Sequence, residues 1–179
     1  MPWAGDAEAH QAGRLNRAPS PLLARSLPWL VIAFGSILQT LPVIASAPIM
    51  PPFGFLFLLA WRQLRPGLLP VWAGLPLGFV DDLYSGQPLG SAMLLWSLAM
   101  IVFEVIEQRF PWRSYVIDWL VGAAVIAGYL LLASAIARIS GAVNVLAPQL
   151  VVSVLVFPLA ERFIAICDRT RLWRFRMLG

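Results

Sequence analysis

Charged positions cut the chain into long apolar blocks. Residues 26–61 carry no Asp, Glu, Lys or Arg over 36 positions, and 66–80 carry none over 15. The same holds for 83–103 over 21 positions, 119–137 over 19 and 139–160 over 22. A helix crossing the roughly 30 Å hydrocarbon core of a bilayer needs about 20 apolar residues. The last three blocks therefore predict one span each. The first block is too long for one span, and residues 47–52, Ala-Pro-Ile-Met-Pro-Pro, break any helix through its middle. It divides into a span near 27–45 and a shorter one near 53–65. The 66–80 block is also short and is interrupted by Gly74, Pro76 and Gly78. Two short helices side by side are stable at membrane depth only if protein covers their loose backbone. Six apolar segments result.

Arginine placement tests that count. With six spans and the N-terminus inside, the cytoplasmic segments hold Arg14, Arg17, Arg25, Arg62, Arg65, Arg109, Arg113, Arg162, Arg169, Arg171, Arg174 and Arg176. Only Arg138 falls outside. Merging the second and third segments would bury Arg62 and Arg65 in a span and invert the later loops. The positive-inside bias thus predicts six spans with both ends cytoplasmic. Trp29, Trp61, Trp112, Trp119 and Trp173 fall near segment ends, where an indole prefers the headgroup region. Trp72 and Trp96 are expected deeper, in helix packing.

Composition agrees with the blocks. Hydrophobic residues make up 60% of the 179 positions and charged ones only 12%, about half the share of a soluble domain. Lipid is the solvent in which such a surface is stable. The expected fold is an all-α membrane protein with six transmembrane helices at 26–166. Residues 1–25 read as a disordered cytoplasmic tail, not a signal peptide, and 167–179 as a basic cytoplasmic tail. The net charge of +4 favours anionic lipid or an acidic partner. Nucleic acid is not expected, because the arginines are scattered between apolar runs. The single Cys167 excludes an internal disulfide and a cysteine-based zinc cluster. His10 stands alone in the polar tail.

The densest local pattern runs from Gly74 through Asp81-Asp82 to Gly90. Two adjacent carboxylates near lipid need water, a partner or a metal. A magnesium site gathers several acids, yet Leu83, Tyr84 and Ser85 follow the pair, so no metal is expected. The preferred reading is structural: Asp82 caps a helix start or tight turn, with Gly86 and Gly90 supplying permissive backbone. Gly74 and Gly78 form a G-x-x-x-G spacing suited to close helix contact. Glu104 and Glu107 are expected to join Arg109 and Arg113 in a charged interfacial network. Asp118 suits a helix N-terminus, and Glu161 is expected to pair with Arg162 or Arg109. No catalytic residue and no cofactor site emerges: the apolar segments hold no histidine, and neither G-x-S-x-G nor a Walker loop occurs. The run 169–176 alternates arginine with apolar residues, as a topological anchor or a contact for anionic headgroups or a cytoplasmic protein.

The run from Gly78 to Gly90 resembles the signature of the rod shape-determining protein MreD family. Gly78, Asp82, Gly86, Leu89 and Gly90 match its glycine, its aspartate four positions on, its next glycine and its Leu-Gly pair before a span. Asp81 falls where that family more often has an uncharged residue. Residues 52–61, a proline, an apolar run and an aromatic before basic residues, look like the family's second segment. Pro158 matches a common proline of its last one. The likeness covers 26–179. It implies a non-enzymatic scaffold of the bacterial cell-wall elongation complex in the inner membrane, contributing to cell shape. The implied partners are MreC and, through it, RodA, a transpeptidase and MreB. It also implies a fold similar to the substrate-binding subunits of energy-coupling vitamin transporters. The rival function is therefore a small-molecule binding subunit with a pocket near Asp81, Asp82, Tyr84, Gln87 and Asn144. In the scaffold reading, segments two and three form the recognition surface and the Asp82 turn holds its shape.

Overall fold

The computed structural model describes residues 21–40, 50–109, 114–138 and 143–176, with side chains from 25 to 169 except 143–145. Most of the expected tail at 1–25 lies outside the described residues. So do 47–49 of the breaker cluster, Trp112, Arg113 and the side chains of Asn144 and of the basic run beyond Arg169.

Six α-helices make up the described chain. They are α1 (Pro21–Leu38), α2 (Phe53–Leu64), α3 (Gly74–Ser85), α4 (Ser91–Arg109), α5 (Tyr115–Ile136) and α6 (Val143–Arg176). A single 3₁₀ turn at Val71–Ala73 leads into α3. Proline and glycine set the boundaries. α2 starts directly after Pro51-Pro52, the amide of Leu56 bonding the Pro52 carbonyl at 3.0 Å. It stops at Arg65, because Pro66 lacks an N–H and Gly67 takes φ +80°. Pro70, with φ −66° and ψ 153°, launches the turn into α3. Gly86, at φ +68°, ends α3 in the left-handed conformation that suits a C-terminal glycine. α6 runs without a break across residue 167 as far as Arg176.

The shortest helix lies innermost. Every residue of α2 from Gly54 to Arg62 is buried, so this helix has no outward face. α1, α5 and α6 pack on it, while α3 packs most extensively on α4. Phe55 stacks on Tyr129 with ring centroids 4.1 Å apart and tilts against Trp96 at 5.9 Å. Trp61 is fully buried with them. The expectation that Trp61 anchors at the headgroups is corrected: α2 is too central for its end to reach lipid. Trp72 is corrected in the other direction. It is 61% exposed and pairs with Trp29 at 5.6 Å, because it sits on the turn before α3 rather than inside a helix. Trp96 is buried, at 0% exposure.

The outer surface is apolar. α4 exposes Leu94, Leu98, Ile101 and Val105, α5 exposes Val116, Leu120 and Leu131, and α6 exposes Leu155, Leu159, Phe163 and Ile166. Such continuous apolar faces have no stable solution in water. Three stretches, Ser91–Arg109, Tyr115–Ile136 and Leu146–Arg169, are long and apolar enough to cross a membrane, and Arg25–Leu38 and Phe53–Leu64 are shorter apolar helices. Lipid gives no hydrophobic drive for one helix to leave it for another, so close packing at small residues carries the association. A Cβ on Gly54 would stand 2.3 Å from Ser36 Oγ of α1, and one on Gly122 would stand 2.5 Å from the Phe157 ring of α6.

Candidate functional site

The Asp82 carboxylate sits in the last turn of α3 and caps the helix that follows. Beyond Gly86 the chain turns through Pro88 and Gly90, the latter at φ +94°, and enters α4 at Ser91. The first amides of α4 have no partner within their own helix. Asp82 reaches across the turn to take them. Its Oδ2 accepts the Gly90 N–H at 2.8 Å and the Met93 N–H at 3.3 Å; its Oδ1 accepts the Ala92 N–H at 2.8 Å and the Ser91 hydroxyl at 3.2 Å. A carboxylate offers about four acceptor positions, and all four are used. Only 4% of Asp82 is exposed. A negative charge at a helix N-terminus is also favoured by the helix dipole. This group holds two helices together and has no lone pair left for a metal or a substrate.

The other residues of the signature divide into packing and turn positions. A Cβ on Gly78 would stand 2.7 Å from the Ala92 carbonyl and the Met93 backbone, and one on Gly74 would stand 2.7 Å from the Ser97 nitrogen. The G-x-x-x-G stripe is thus the face on which α3 meets the α4 backbone. Gly86 and Gly90 have open space around them; their φ angles are what require glycine. Leu89 is 75% exposed at the tip of the turn. Pro158 lies within α6 beside Gln63, Asp118 and Glu161. It withholds an N–H from the Val154 carbonyl one turn earlier, and the Trp119 indole N–H reaches that oxygen at 3.4 Å instead.

Asp81 and Asp82 point different ways, as neighbours on a helix do. Asp81 is 1% exposed and accepts a hydrogen bond from Gln39 Nε2 at 3.2 Å, tying α3 to the end of α1. Gln87 Oε1 lies 3.3 Å from the Ser91 oxygen and shares its one hydroxyl proton with Asp82, while Tyr84 is 43% exposed. Asp82 and Gln87 thus meet at the Ser91 hydroxyl, whereas Asp81 turns toward α1 and Tyr84 outward, and the side chain of Asn144 is outside the described residues. Among the described residues, no group of three His, Cys, Asp or Glu side chains is placed to share a metal ion.

At the opposite end of the bundle a second polar group joins α2 to α4. Arg62, with a side chain only 2% exposed, donates to Glu104, to Glu107 at 2.7 Å and to the Leu69 carbonyl at 3.2 Å. Arg65 pairs with Asp168 of α6 at 2.8 Å, and Gln63 donates to the Asp118 carbonyl of α5 at 2.9 Å. Three polar residues at the end of α2, Arg62, Gln63 and the capping Arg65, thus reach three different helices. In the expected network of Glu104 and Glu107 with Arg109 and Arg113, the cation is instead Arg62 of α2 among the described residues, and Arg113 lies outside them. Glu161 is corrected as well: it makes no ion pair with Arg162 or Arg109 and instead faces Tyr115 and Asp118. Sequence reasoning missed the Arg62 clamp because its partners lie 42 and 45 residues away. The one available signal was an arginine inside an otherwise apolar helix. An apolar groove of about 360 Å³ separates α4 from α5, lined among others by Leu95, Ala99, Val125, Gly128 and Tyr129.

Comparison with protein families matches the rod shape-determining protein MreD family over residues 22–164. The chain belongs to the MreD family. The match takes in α1 to α5 and most of α6, including the Asp82 turn and the Arg62 clamp. MreD proteins form a shape-determining family of structural membrane proteins, and this chain is a membrane protein of that class. No curated protein and no solved structure matches the chain. The expected likeness to vitamin-transporter subunits therefore finds no support.

Proposed function

We propose that this MreD-family protein is a non-catalytic scaffold of the bacterial cell-wall elongation complex, spanning the inner membrane six times with both ends in the cytoplasm. The observation that carries the reading is the family match over residues 22–164. The placement of charge supports the topology. Arg62, Arg65, Arg109 and Arg169 gather at the end of the bundle marked by the Arg62 clamp, whereas Arg138 lies beyond the last residue of α5, toward the other end. The Asp82 turn then faces the periplasm. MreC is the proposed direct partner, with RodA, a transpeptidase and MreB further along the assembly.

The geometry supports a scaffold rather than a catalyst. Asp82, the most conspicuous acid of the sequence, spends all four acceptor positions on backbone and hydroxyl donors. Arg62 spends its guanidinium on Glu104, Glu107 and a carbonyl. Both groups fix helix positions. The expected recognition surface narrows in consequence: α2 has no outward face, so of the two short segments only α3 can present one, through Leu75, Phe79 and Leu83.

Affinity purification in mild detergent, with identification of stoichiometric partners, tests this reading. MreC is expected to copurify, and to be lost with Asp82→Lys at unchanged membrane levels. Recovery of a transporter module, or of no elongation protein, contradicts it.

A further inference from the structure

The helices facing lipid differ greatly in length. At about 1.5 Å per residue, the 22 residues of α5 extend about 33 Å and the 24 residues of Leu146–Arg169 about 36 Å, enough for a core of about 30 Å. The 12 residues of α3 extend about 18 Å, and the Val71–Ala73 turn adds about 6 Å. Yet α3 is not hidden as α2 is. Trp72, Leu75, Phe79 and Leu83 are 61%, 47%, 48% and 57% exposed along its outer face.

A second observation fixes where the shortfall lies. Gly74, the first residue of α3, sits against Ser97 of α4. Glu104 and Glu107, which hold Arg62, lie 7 and 10 residues farther along α4, about 10 to 15 Å deeper toward that end. Over this distance the chain before α3 is not helical. Arg65 has φ −136°, Gly67 has φ +80°, and Pro66 and Gly67 are exposed. Irregular backbone facing hydrocarbon has no partner for its polar groups. Water and headgroups must therefore reach down to the level of Trp72, whose indole, packed on Trp29, is of the kind that prefers that zone.

We propose that the protein thins the bilayer along α3, drawing the two headgroup regions to about 20 to 24 Å apart over the face from Trp72 to Leu83, while α5 and α6 meet lipid of ordinary thickness. In the protein alone the occupant of this face is lipid, which a docking partner helix would displace. The thinning is built into the fold, because Gly74 and Gly78 lock α3 against the α4 backbone and prevent it from sliding or tilting to relieve the mismatch. The inference rests on the membrane-spanning reading above, and its test separates the two.

The test compares two pairs of positions, each 11 residues apart. In a Cys167→Ser background, single cysteines replace Trp72 and Leu83 on α3, and Leu120 and Leu131 on α5, all exposed. Each variant is reconstituted into vesicles of 18-carbon phosphatidylethanolamine and phosphatidylglycerol. A membrane-impermeant maleimide is supplied on both sides, and reaction requires the thiolate, hence water. Both α3 cysteines are expected to react roughly tenfold or more faster than both α5 cysteines. Unreactive cysteines at Trp72 and Leu83, or reaction at only one of them, overturn the thinning while leaving the spans intact. Fast reaction at Leu120 or Leu131 overturns the spanning reading itself. Correct folding is checked by monodisperse elution, and all four positions lie on the outer surface.

Discussion

Two buried ionic side chains, at opposite ends of the bundle, do most of the positioning. Asp82 replaces the water that the first turn of α4 would otherwise need. Removing it leaves the Gly90, Ala92 and Met93 amides without an acceptor. Asp82→Ala is expected to destabilise the protein by about 1–3 kcal/mol in detergent, read as a lowered thermal unfolding midpoint. Ser91→Ala removes one bond of the four and is expected to cost under about 1 kcal/mol. Equal effects of the two changes contradict the capping role. Arg62 presents a different case, since its removal takes the cation away from two carboxylates. Glu107 is 17% exposed and Glu104 37%, so solvent screens Glu104 and relieves it more. Arg62→Ala is expected to cost about 3–5 kcal/mol. Combining Arg62→Met with Glu104→Gln and Glu107→Gln is expected to recover most of that loss in the same assay. An unrecovered loss means that Arg62 does more than balance these charges.

Helix α6 shows how a local defect is repaired by a neighbouring element. Pro158 leaves the Val154 carbonyl without its usual donor, and Trp119 of α5 supplies an indole N–H. Trp119→Phe is expected to cost about 0.5–1.5 kcal/mol in the native chain and clearly less alongside Pro158→Ala, which restores the helical N–H. A double-mutant cycle measures this coupling, and independent effects contradict it. The elements themselves were largely legible in the sequence. The uncharged blocks between 26 and 160 mark the helices because charge is excluded from lipid, and Pro52, Pro66, Gly67 and Gly86 mark their ends. The Asp82 turn was legible in kind, because an acid followed by glycines at 86 and 90 is the chemistry of a cap. That the acid closes the next helix, and not its own, depends on the antiparallel packing of α3 on α4. Periodicity carried no depth information: Trp61 adjoins Arg62 yet is fully buried, and Trp72 sits between Val71 and Ala73 yet faces outward. The Arg62 clamp joins residues more than 40 positions apart, and no local pattern encodes such a contact.

At the scale of the whole molecule, polar groups sit at the two ends of an apolar bundle. The Asp82–Gln39 end closes α1, α3 and α4, and the Arg62–Arg65 end closes α2, α4 and α6. The waist between these ends is apolar, as the exposed faces of α4, α5 and α6 show. The proposed topology of six spans places both termini on one side. A reporter fused after Gly179 is therefore expected to be active only as a cytoplasmic fusion, and activity as a periplasmic one contradicts the topology. The most direct test of the central claim is cell shape. The chromosomal gene is to be replaced in the source bacterium by a depletable copy, and cell length and width followed by microscopy as the protein is lost. Rods are expected to widen and round up, and to recover with the wild-type chain but not with Asp82→Lys at matched membrane levels. Cells that keep their rod shape through complete depletion contradict a role for this protein in shape determination.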